Sequence, residues 1–162
     1  MRSFAALAAT AIVAMVLQTT VFPTVPVLPV APDLMLVLAV YLGVFHRNMG
    51  GALGAFLLGY FMDAFSGVRL GVNAFAFTLV FAGVQLVARS IWVQGSVPVM
   101  AVVFVAGCAR GLVLMAVLAL AGGTPLWHHV LRYTVAEPLV AALAAPAVFA
   151  VVQWEKRALG LT

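Results

Sequence analysis

The chain has 162 residues, of which 66% are hydrophobic and only 7% charged, with a mean hydropathy of +1.23. Soluble domains are roughly 45–50% apolar and about 25% charged, so composition excludes an ordinary soluble fold and leaves one all-α integral membrane domain. The net charge of +4 rests on scattered arginines; without a basic cluster or basic-aromatic groove, nucleic acid is excluded as a partner.

The first predicted helix covers about 4–22, some 19 residues without a charge, close to the ~20 that cross a hydrocarbon core. Met1-Arg2 before it imitates a signal peptide. The run is long enough to span, and no convincing small-residue cleavage site follows, so it reads as a retained helix. Ala5 and Ala9 give it a small-residue face, and Gln18, Thr19 and Thr20 mark its far end. Pro23, Pro26, Pro29 and Pro32 then recur every third residue. That density prevents a helix and makes either a stiff loop or a rigid shelf for a partner.

Helix two covers 33–45. Pro32 suits a first turn, and Asp33 favours the positive end of the helix dipole. Helix three covers 49–63, after the polar turn His46-Arg47-Asn48. Both are short, and a tight spanning hairpin is expected. Gly50, Gly54 and Gly59, with Gly51 and Ala55, give helix three a smooth face, and the Gly50–Gly54 spacing of four permits close contact with a neighbouring helix. Helix four covers 71–88, with Asn73 in its first turn, placed to cap it or to bond the preceding loop. Helix five covers 97–121 and carries Arg110 near its middle. Gly122-Gly123-Thr124-Pro125 breaks the chain, and Trp127, His128, His129, Arg132 and Tyr133 read as an interfacial belt. Helix six covers 130–154 and includes Glu137-Pro138; Glu155-Lys156-Arg157 is expected in water.

Six crossings put both termini on one side. With that side cytoplasmic, Arg2, Arg47, Arg89, Lys156 and Arg157 lie inside, and Arg69 and Arg132 outside. This satisfies the positive-inside rule, which the opposite orientation violates.

Arg110 is the most costly residue, at ~2.5 kcal/mol or more near a bilayer centre. It must face the interior and pair. Glu137 is the expected partner, because the two lie roughly 16 and 10 Å from the outer ends of antiparallel helices. Such a pair either docks two helices or lines a polar cavity. Asp63 reads as an acceptor for the turn Ser66-Gly67 to Gly71, or as a partner of Arg69 or Arg132, rather than as a proton carrier. On that reading Asp63→Asn is mild, whereas Gly67→Val and Gly71→Val disturb the turn. Cys108 reads as a small buried hydrophobe, and adjacent His128 and His129 point apart on a helix, which argues against a metal site. No catalytic set, cofactor loop or metal cluster is visible.

Pro32-Asp33-Leu34, Tyr41-Leu42-Gly43, Gly50-Gly51-Ala52-Leu53-Gly54, then Asp63 with Ser66-Gly67 and Leu70-Gly71-Val72-Asn73-Ala74, together resemble the rod shape-determining protein MreD family. These residues cover the first half of the chain; the second half matches in length and hydropathy. The resemblance implies a non-catalytic protein of the bacterial inner membrane. It implies direct binding of MreC, a protein with one spanning helix, and through it RodA, a class B penicillin-binding protein and MreB. It also implies a six-helix bundle similar to the substrate-binding subunits of energy-coupling-factor transporters. A vitamin-binding transporter subunit is therefore the rival reading. Self-association through a small-residue face is a further expectation.

Overall fold

A computed structural model describes residues 2–21, 32–46, 48–66, 71–90, 95–120 and 135–158. The described residues form six helices: α1 Arg2–Val16, α2 Leu34–Phe45, α3 Met49–Ser66, α4 Val72–Ser90, α5 Ser96–Leu120 and α6 Glu137–Ala158. A π-helical turn, Leu17–Val21, continues α1. The proline segment before Pro32, Arg47, Gly67, Arg69 and the belt from Trp127 to Tyr133 lie outside the described residues, as does the side chain of Ser66.

Helix α2 is the centre. It packs against each of the other five helices, and Leu34 through Gly43 are all buried. Its sequence, LMLVLAVYLGVF, has no polar face, and a helix that is apolar all round belongs in an interior. Around it the order is α1, α6, α5, α4, α3, each packed on the next. Tyr41 fixes the lower end of this core, with its ring edge-on to Phe149 of α6 at 5.1 Å.

Small residues set the helix spacing. A Cβ on Gly59 would lie 2.5 Å from the α4 backbone at Ala74, and one on Gly107 would lie 2.6 Å from Pro138 of α6. The inward stripe of α3 is therefore Gly51, Ala55 and Gly59, all buried. The Gly50–Gly54 stripe expected to meet a neighbour is only half-buried, and Gly54 faces Leu42.

Two boundaries, the ends of α3 and α6, differ from the sequence reading. Helix α3 continues three residues past Asp63, which puts that carboxylate on the last turn. The α-helical part of α6 begins at Glu137, after the π-helical residues 135–136, and the expected start at 130 lies outside the described residues. The same helix runs on to Ala158. Glu155 is half-buried there and accepts a hydrogen bond from Thr10 of α1 at 2.5 Å, so it does not sit in a solvated tail.

Candidate functional site

Polar chemistry collects where the N-termini of α2, α4 and α6 meet the end of α3 and the middle of α5. Helix α2 is only ~18 Å long. Its first turn lies inside the bundle, where unpaired N–H groups find no water. Asp33 answers this as the N-cap, accepting from the Leu36 amide at 3.0 Å. The start of α4 is capped from another helix. Asp63 Oδ2 accepts from the amides of Gly71 at 2.9 Å and Ala74 at 3.2 Å. Its Oδ1 accepts from the Asn73 amide at 3.1 Å and Asn73 Nδ2 at 2.9 Å. Gly71, at φ +98°, turns the chain into this arrangement, a conformation natural to glycine.

Arg110 closes the network. One guanidinium nitrogen, Nη1, lies 2.5 Å from Asp33 Oδ2 and 3.6 Å from Glu137 Oε1. The other, Nη2, donates to Asn73 Oδ1 at 3.1 Å and sits 3.8 Å from Met62 Sδ. Its plane lies over the Phe77 ring, 5.3 Å from the centroid. Five helices are thus joined through one cation. Two carboxylates, Asp33 and Glu137, share it, and Asp63 is joined to it only through Asn73. Asp33 and Asp63 also face the N-termini of α2 and α4, where the dipole supplies further positive potential.

The expected Arg110–Glu137 pair is present but is the longer of two. Asp33 makes the shorter contact, and the sequence reading had placed Asp33 only as a dipole partner. Asp63 does accept from the following turn, at Gly71, and from the start of α4. The Asn73 side chain neither caps α4 nor bonds the preceding loop in these contacts; it bridges Asp63 on α3 to Arg110 on α5. Gly50 and Gly54 lie at the other end of α3, away from this network.

Two grooves lie on the flanks. One, of about 310 Å³, separates α1 from α3 over a floor of Leu38 and Leu42, with Ile12, Gly54, Leu57 and Tyr60 on its walls. The other, of about 300 Å³, runs between α4 and α5 past Gly83, Val87, Val105 and Ala109. Both are lined by apolar residues apart from Tyr60 in the first. Among the described residues no three His, Cys, Asp or Glu gather to hold a metal ion.

The charge distribution is inverted relative to a soluble protein. Asp33, Asp63 and Arg110 are 0%, 1% and 7% exposed, whereas Met49, Leu120 and Trp154 are 88%, 89% and 70% exposed. Helices α5 and α6 contain segments long and apolar enough to cross a membrane, Ser96–Val117 and Glu137–Glu155; the other four hold shorter apolar stretches. Charge inside and hydrocarbon outside define an all-helical membrane protein. The family model described as rod shape-determining protein MreD matches residues 1–154, and the chain belongs to that family of membrane proteins, which acts in rod shape determination. Comparisons with curated proteins and with solved structures give no match.

Proposed function

We propose that the chain is a non-catalytic scaffold of the bacterial cell-elongation machinery. It crosses the inner membrane six times with both termini in the cytoplasm. It binds MreC directly and, through MreC, helps organise RodA, a class B penicillin-binding protein and MreB during peptidoglycan synthesis. A complex with two copies of each protein is part of this reading.

The observation that supports it best is where the polar groups point. Asp33, Asp63, Asn73 and Arg110 are turned onto one another and onto helix ends, so they hold the bundle together. A transporter subunit or an enzyme needs convergent polar groups aimed into a ligand-sized cavity. The two grooves here offer apolar surface instead. Such surface suits packing against another helix, where association depends on close contact rather than on a hydrophobic drive.

Co-purification tests the scaffold. Stable recovery of MreC with this protein is expected, and saturable, tight vitamin binding in place of it would overturn the reading. Photo-crosslinkers belong at Val27, Val68 and Leu57. Ala55 is unsuitable because it is fully buried. For topology, single cysteines at Val27, Val68 and Gly123, in a background lacking Cys108, should react with an impermeant reagent from outside. Labelling only from the cytoplasm would reverse the orientation.

A further inference from the structure

Helix α1 is held differently from the other five. Helices α2 to α6 each place at least one residue in the Arg110 network: Asp33, Asp63, Asn73, Arg110 and Glu137. Among the described residues α1 places none. Its buried stripe is Thr10, Ala11, Ala14 and Met15, mostly small side chains that bury little area, packed towards α2 and α6. Midway along it, Thr10 Oγ1 donates to Glu155 Oε2 of α6. At its C-terminal end the helix loosens into the π-helical turn Leu17–Val21, and Thr19 Oγ1 donates back to the Met15 carbonyl at 2.8 Å. Such back-bonding bends helices, and π-turns mark places where a helix changes course. On the side of α1 away from α6 lies the open groove to α3, lined by Ile12 of α1 and Leu57 of α3 with Leu38 and Leu42 of α2.

We propose that α1 is a hinged strap. It pivots at Leu17–Val21, and the Thr10–Glu155 hydrogen bond latches it to α6, which keeps the α1–α3 groove open. With the latch released, α1 swings from α6 towards α3 and covers the groove floor. The other five helices stay in place, because their ionic network does not depend on α1.

Disulfide formation across the groove reads this motion. The full chain, in lipid and with Cys108 replaced by Ser, carries Ile12→Cys and Leu57→Cys. A control chain carries Leu79→Cys and Val105→Cys across the α4–α5 groove. Thr10→Val should speed cross-linking of the first pair severalfold and leave the control pair unchanged, and Thr10→Ser should restore the parent rate. If Thr10→Val does not accumulate, Glu155→Gln, which keeps an acceptor but removes its charge, should speed the first pair by a smaller factor. An unchanged or slower rate in whichever variant accumulates overturns the proposal. So does equal acceleration of both pairs, which would mean general loosening of the bundle.

Discussion

Asp33→Asn separates the charge of Asp33 from its capping role. The amide oxygen can still accept from the Leu36 amide, so the N-cap survives, while the amide NH₂ takes the place of Oδ2 and gives Arg110 neither a charge nor an acceptor. The two side chains are 8% and 0% exposed, so water cannot replace the lost partner. Removing one member of a buried pair costs ~3–5 kcal/mol. Glu137, at 3.6 Å, still faces the same nitrogen, which puts the expected loss near the low end, at about 3 kcal/mol. At ~2–4 °C per kcal/mol for a chain of this length, the purified protein should melt roughly 6–12 °C lower. Asp33→Ala should lose about 1 kcal/mol more, because the cap goes too. Glu137→Gln, on the longer and more exposed contact, should cost only ~1–2 kcal/mol. Combining Asp33→Asn with Arg110→Met should then cost less than the sum of the two, by up to ~3 kcal/mol. Thermal melts of the variants in one detergent decide the matter. Additive losses, or a larger loss for Glu137→Gln than for Asp33→Asn, would refute the assignment of Asp33 as the main partner.

Asp63→Asn is expected to be costly rather than mild, because both carboxylate oxygens accept and an amide NH₂ would face two N–H groups; a melting shift matching a loss of ~2–4 kcal/mol checks it. Gly59→Ala should destabilise by ~1–3 kcal/mol through overpacking against α4. Gly83→Ala, where a Cβ meets nothing within 4 Å, should be neutral or gain up to about 1 kcal/mol of helix propensity; the two melts, compared side by side, test the packing argument. Gly71→Ala, at φ +98°, should cost ~1–3 kcal/mol of backbone strain, seen as a lower melting temperature although the added Cβ has open space.

Much of the helix plan was legible in the sequence, because long apolar runs broken by proline, glycine and polar turns leave little choice. The site was legible in parts. Arg110 and Asp63 announced themselves by cost, since a charge in an apolar run needs a partner. The identity of that partner was harder to read. Glu137 lies on the next helix, where antiparallel neighbours can be aligned by rise per residue. Asp33 lies three helices earlier, and nothing in the local pattern says that α2 stands beside α5. The central place of α2 was hidden for a related reason. A run without a polar face marks a buried helix in a soluble protein, whereas in lipid an exposed helix is equally apolar. The glycines of α3 show the same limit: Gly50–Gly54 and Gly51–Ala55–Gly59 both have a spacing of four, and only the packing tells which stripe faces α4.

The central position of α2 has a consequence for how the chain is made. Asp33 leaves the ribosome roughly 80 residues ahead of Arg110, its main partner. At ~5–20 residues per second the interval is about 4–16 s. Through that interval α2 has its cap but not its counter-charge, and lipid is a poor host for a lone carboxylate. A short helix with its acid at one end can keep that end near the headgroups while it waits. The most buried helix of the bundle is thus among the first to be synthesised, and it receives its counter-charge only when α5 is made.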